Sequence, residues 1–206
     1  MRSSLAHLAI ALAALLPLSA CKTLSTQWSA ETGSVINQNH SPIPGAYVVA
    51  LWKGIQNKSQ TPAVNNEQHS CYHIETDLSS KTGMYTIKAW NKPETLNHID
   101  HQSVEILAYK PGYVFEQQVL TAGKSNQTYL SMRKIEKPTR SHSRKERLKY
   151  LQKLVANTSC DLNTKGRKKL KAMYQAIVAE GKRIAKTHAD KKRLKSLKRW
   201  TRFVAK

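Results

Sequence analysis

The chain has 206 residues, 40% of them hydrophobic, with 34 Lys and Arg against 13 Asp and Glu for a formal net charge of +21. That is enough apolar material to bury a core in one or two domains. So large a positive excess excludes an ordinary cytosolic enzyme surface and requires a location or partner that tolerates it. The excess is also uneven: residues 22–132 carry eight basic and eight acidic side chains, whereas residues 133–206 carry 25 basic and five acidic ones. A neutral part is followed by a polycation.

Residues 1–20 read as an address. Arg2 precedes an apolar stretch from Leu8 to Leu18, too short for the roughly 20 residues a membrane-spanning helix needs, but right for the hydrophobic region of a signal peptide. It ends in Leu18-Ser19-Ala20-Cys21, which resembles the lipobox of bacterial lipoproteins. The resemblance implies cleavage before Cys21 and an acylated Cys21 carrying a diacylglycerol thioether and an N-linked chain such as palmitate, enough for stable anchoring. Position 22 is Lys rather than Asp, which by analogy with lipoprotein sorting implies the outer membrane, facing the periplasm. Residues 21–30 are expected to be a flexible lipid-anchored tether.

With Cys21 lipidated, Cys71 and Cys160 remain. An even remainder in an exported chain favours a disulfide, which would staple the neutral part to the basic part; two buried free thiols are the alternative.

From residue 31 to about 135, short β-rich runs alternate with turn signals, the pattern of an all-β sandwich. The expected strands are Glu31–Asn37, Ala46–Lys53, Cys71–Leu78, Met84–Trp90, Val104–Tyr109, Tyr113–Thr121 and Thr128–Met132. Gly33-Ser-Val35 with Pro42-Ile-Pro-Gly-Ala46, then Thr76-Asp77 with Gly83-Met-Tyr85, then Ala108-Tyr-Lys110-Pro-Gly-Tyr113 resemble, in order and spacing, the motifs of carboxypeptidase regulatory-like domains. The resemblance implies a seven-stranded transthyretin-like β-sandwich, a non-catalytic module in most of its settings.

Period-two alternation puts Tyr72, Ile74, Thr76 and Leu78 on a core face, with Cys71, His73, Glu75 and Asp77 opposite. By the same rule Tyr85 and Ile87 point inward, and Met84, Trp90, Leu107 and Tyr109 outward. An outer face so apolar needs cover. The basic helices are expected to dock there and bring cations near Glu75 and Asp77.

Residues 139–206 read as two or three basic helices, giving an α+β chain with its strands and helices segregated along the sequence. The first starts after a Thr139 or Ser141 cap and carries Leu148, Leu151, Leu154 and Val155 on one face. The second runs from Asn163 or Thr164 to about Thr187, with Leu170, Met173, Tyr174, Ile177, Val178 and Ile184 in a stripe and Gly181 as a weak point. The third spans Ala189 to Val204.

That last helix is the principal candidate site. Lys191, Lys192, Arg193, Lys195, Lys198, Arg199 and Arg202 are expected to bind anionic lipid or an envelope polymer, and Leu194, Leu197, Trp200 and Phe203 to dip into the membrane interface. In the alternative, the helices are purely structural and the sandwich binds a carbohydrate or a protein. Nucleic-acid binding is a minor alternative, against which export argues, and no zinc-finger or aromatic RNA-binding motif is present.

His69, Cys71 and His73, or His98 and His101, could suggest a metal site, but surface histidines beside a disulfide are the expectation, with no metal and no cofactor. The Asp77…Gly83-Met-Tyr85 hairpin is also similar to that of intradiol dioxygenases, yet their His-x-His ligand pair is absent. No nucleophilic triad, phosphate loop or paired-carboxylate spacing occurs, so the expected protein is a non-enzymatic lipoprotein of the cell envelope.

Overall fold

The computed structural model describes residues 27–56, 68–96, 99–116, 127–134, 144–158 and 164–205. The signal segment, Cys21, the Thr139 and Ser141 caps, and Cys160 lie outside the described residues. The architecture is α+β, with strands first and helices after.

The strands are β1 (Gln27–Trp28), β2 (Glu31–Ile36), β3 (Tyr47–Gln56), β4 (Gln68–Leu78), β5 (Met84–Ile87), β6 (Trp90–Asn91), β7 (Ile99–Tyr109), β8 (Tyr113–Glu116) and β9 (Gln127–Lys134). A four-stranded sheet has the order β5-β2-β9-β8, a three-stranded sheet the order β4-β3-β7, and β1 pairs with β6. Among the described strands all pairings are antiparallel except β2 with β9. Val35, Tyr85, Ile87 and Met132 from the larger sheet meet Val48, Ala50, Trp52, Ile106 and Ala108 from the smaller one in a shared core. The two sheets therefore lie face to face.

The segments between strands are held by their own polar groups. Ser79 Oγ accepts from the Ala46 amide and donates to the Ile43 carbonyl, both at 2.8 Å, which pins the Pro42–Ala46 turn. Lys110 Nζ donates to the Pro44 carbonyl. The Asp77 carboxylate accepts from the Thr86 amide at 2.6 Å, joining the edge strands of the two sheets. Gly83 has φ +77°, and a Cβ there would stand 2.7 Å from the Val35 carbonyl, so the turn requires glycine.

Among the described residues four helices follow: α1 (Arg144–Thr158), α2 (Thr164–Lys169), α3 (Lys171–Ile184) and α4 (His188–Ala205). The second expected helix is thus divided at Leu170, whose fully buried side chain anchors the break in the core. The helices cover the outer face of the three-stranded sheet: Val49, Leu51, Ile74, Leu107 and Tyr109 pack with Leu151, Leu154, Val155, Leu170, Met173, Tyr174, Ile177, Leu194 and Leu197. Gly181 is no weak point. A Cβ there would meet Leu194 and Leu197 at 3.1 and 3.3 Å, so its missing side chain is what lets α4 approach α3.

Docking on the Leu107–Tyr109 face beside Cys71 agrees with the alternation pattern of β7, but other details differ. A bulge in β4 opposite Trp52–Lys53 shifts the register, so Tyr72 enters the inter-sheet core as expected, but from residue 73 on the expected faces are exchanged. His73, Glu75 and Asp77 pair with Trp52, Ala50 and Val48 of that core, Ile74 faces the helices, and Leu78 is exposed. Met84 lies exposed on the other sheet, away from the helices. Trp90 packs inward against the inter-sheet core rather than pointing outward. Finally, the tether expected through residue 30 already contains β1, whose Gln27 and Trp28 pair with Asn91 and Trp90.

Candidate anionic-surface interface and its supports

The basic helices are fixed to the sheet by a buried ionic cluster that the sequence reading did not single out. Arg147 of α1 donates from Nε and an Nη to the two carboxylate oxygens of Glu180 on α3, each at 2.9 Å. Their side chains are only 8% and 5% exposed. Tyr109 of β7 donates its hydroxyl to Glu180 at 2.8 Å, the Gly112 amide donates to the same carboxylate, and Arg147 also reaches the Tyr113 carbonyl. Every charge here has a fixed partner, as a buried ion pair requires. Burial, with Glu180 beside it, pushes the Tyr109 hydroxyl pKa far up, so it stays a donor.

A second attachment lies at β4. Lys169 of α2 donates to Glu75 and to the Ile74 carbonyl, so a cation does reach Glu75; Asp77 is instead bound to the Thr86 amide. Glu75 also meets His73 Nε2 at 3.1 Å. His73 lies flat on Trp90, ring centroids 3.7 Å apart, and edge-on to Trp52 at 5.0 Å, while Trp28 from β1 abuts Trp52. Among the described residues no hydrogen-bond acceptor meets the buried indole N–H groups of Trp52 and Trp90. The two rings meet edge to face, with centroids 5.6 Å apart.

Burial pushes the His73 imidazole down to about 4, with the Glu75 carboxylate opposing and the Lys169 ammonium assisting. The folded chain therefore keeps His73 neutral where the unfolded chain, titrating near 6.5, takes up a proton. Stability from this group is complete above about pH 6.5 and is lost as pH falls towards 4. Urea denaturation should show about 1–2 kcal/mol of stability lost over that window, allowing for the ring's partial exposure. His73→Phe, which keeps the ring stack, should remove that part of the pH dependence.

On α4 the expected residues divide between two faces. Thr187 and Asp190 form a reciprocal cap: the Asp190 carboxylate accepts from the Lys186 and Thr187 amides and the Thr187 hydroxyl from the Asp190 amide. These bonds to the backbone hold the Asp190 carboxyl below the usual carboxylate range. From this start Leu194, Leu197 and Thr201 turn inward, and Leu197 is completely buried. Leu194 and Leu197 are thus core residues and cannot enter a membrane while the helix is docked. Trp200 is 45% exposed, and the Phe203 side chain lies outside the description.

Lys191, Lys192, Lys195, Arg199 and Arg202 are exposed on the remaining surface, with Arg193 and Lys198 half-buried beside them. The acids in the described helices are Glu146, Glu180 and Asp190. Glu180 is enclosed in the Arg147 cluster, and Asp190 caps its own helix with Arg144 at 3.9 Å. The outward face of α4 is left strongly cationic. Along one side of it, facing α3, runs a groove of about 470 Å³ lined by Lys171, Tyr174, Gln175, Val178, Ala179, Lys182, Lys198, Thr201 and Arg202.

Cys71 packs against the helix-side core and is disulfide-bonded. Among the described residues no group of three His, Cys, Asp or Glu side chains could hold a metal ion, and no helix is long and apolar enough to cross a membrane.

No family model matches the chain, and no curated protein matches it. Among solved structures it is similar to 3-chlorocatechol 1,2-dioxygenase from Rhodococcus opacus, at 10% identity and a TM-score of 0.28, over 51% of this chain. The match spans 59% of that enzyme's length, and a likeness this slight carries no argument about the fold or the chemistry.

Proposed function

We propose that this is a non-enzymatic, lipid-anchored protein of the bacterial cell envelope, whose docked helices hold a cationic face against an anionic surface. Its β part is read as a seven-stranded transthyretin-like sandwich of the carboxypeptidase regulatory-like kind. The face-to-face sheets of four and three strands support that reading. The lipobox-like Leu18-Ser19-Ala20-Cys21 supports acylation at Cys21 and an outer-membrane location facing the periplasm.

The observation that carries the surface role is the division of charge on the helices. Glu180 and Asp190 are bound within the fold, while at least five cations of α4 point to solvent. A rigid array of like charge costs self-repulsion, which a counter-charged surface relieves. Near an anionic leaflet each Lys or Arg contributes about 1 kcal/mol. With Leu194 and Leu197 committed to the core, the contact is chiefly electrostatic, and the exposed Trp200 is the expected interface residue that stays free to meet the membrane.

The chain from Lys22, which holds every described element but no acyl group, should sediment with phosphatidylglycerol vesicles and not with phosphatidylcholine vesicles. Added salt should release it. Failure to bind anionic vesicles at low salt would defeat the surface reading and leave the helices a purely structural layer over the sheet.

A further inference from the structure

We propose that the groove between α3 and α4 is a discrete binding site for the phosphate-bearing head group of a membrane lipid. This rests on the reading that the cationic helices meet an anionic membrane, and it assigns the contact to particular residues.

Four cations rim the groove, Lys171 and Lys182 from α3 with Lys198 and Arg202 from α4, and among the described residues no acidic side chain lines it. Lys171 and Lys182 lie eleven positions apart on one helix, about 16 Å at the α-helical rise. The site is therefore long and cationic towards both ends. Between them the lining includes the apolar surfaces of Tyr174, Val178 and Ala179. Such a pattern suits a ligand that joins an anionic group to an apolar body.

The neutral polar groups in the lining narrow the ligand further. The Tyr174 hydroxyl is bonded to Thr158, and the Thr201 hydroxyl donates to the Leu197 and Lys198 carbonyls. Neither hydroxyl faces the groove as a ready partner, which leaves the Gln175 amide beside the four cations. A neutral sugar would find few matching groups there, whereas a phosphodiester would find charge-assisted donors from Lys and Arg. The apolar lining then suits the glycerol and first acyl carbons rather than a free phosphate ion.

The test uses the chain from Lys22, phosphatidylglycerol vesicles, and two pairs of exposed substitutions that remove equal charge. Lys171→Gln with Lys182→Gln alters the groove and spares α4; Lys192→Gln with Lys195→Gln alters α4 outside the groove. The groove pair should weaken binding about tenfold or more, and the other pair distinctly less. Short-chain soluble phosphatidylglycerol should compete at concentrations where inorganic phosphate and polyglutamate do not. Equal loss from both pairs would overturn the groove while leaving the electrostatic surface reading intact. Competition by phosphate or polyglutamate at the same concentrations would overturn the lipid assignment. Absence of binding by the unaltered chain would defeat both readings.

Discussion

Replacing Glu180 with alanine is expected to destabilise the protein by about 3–5 kcal/mol, the cost of leaving a buried charge without its partner. The loss would fall on Arg147, which is as buried as Glu180 and points two donors at its carboxylate. The Tyr109 hydroxyl and the Gly112 amide would lose their acceptor as well. The double variant Arg147→Met with Glu180→Leu should recover part of the stability, because it removes both buried ions, while the Tyr109 hydroxyl and the Gly112 amide stay without their acceptor. Urea denaturation followed by circular dichroism measures both. A Glu180→Ala protein within about 1 kcal/mol of the parent would show that the cluster is not the fastening between helices and sheet.

Removing the disulfide at Cys71 should have a comparable effect. We propose Cys160 as its partner. Residue 160 lies between the end of α1 at Thr158 and the start of α2 at Thr164, and Lys169 at the end of α2 is bonded to β4, the strand that carries Cys71. A loop of about 90 residues is worth on the order of 4–5 kcal/mol in the chain-entropy account, less any strain in the folded state. Cys71→Ser should therefore cost about 2–5 kcal/mol. A Cys71–Cys160 linked peptide should appear on non-reducing mass mapping. A link from Cys71 to Cys21 would overturn both the pairing and the lipid anchor, since acylation consumes the Cys21 thiol.

Much of the β part was legible because alternation and turn chemistry act locally. The Ser79–Gly83 turn, the inward Tyr85 and Ile87, and the opposed faces of β7 follow from period two. Tyr72 and Ile74 part company because a bulge adds one residue, and no local signal in Cys71–Leu78 marks it. The apolar outer face called for a cover and has one. The assignment of Leu194 and Leu197 was the harder question: an amphipathic stripe at helical spacing looks the same whether it meets lipid or protein. Only the tertiary contacts with Gly181 and the sheet decide it.

Two functional supports could have been read from the sequence. Glu180 stands three residues after Ile177 in an apolar stripe of an otherwise cationic region, where an acid is costly unless paired. Thr187-His-Ala-Asp190 is a capping box directly before α4. The groove had no such trace, since its four cations come from two helices and gather only when those helices pack.

Hydrogen exchange of the chain from Lys22, free and bound to phosphatidylglycerol vesicles, tests the central claim most directly: α4 meets an anionic surface with its cationic face while staying docked on the sheet. The amides around Leu194 and Leu197 should keep the same slow exchange in both states, and the chain should be bound. Loss of protection there on binding, with α4 leaving the core to insert its leucines, would contradict it.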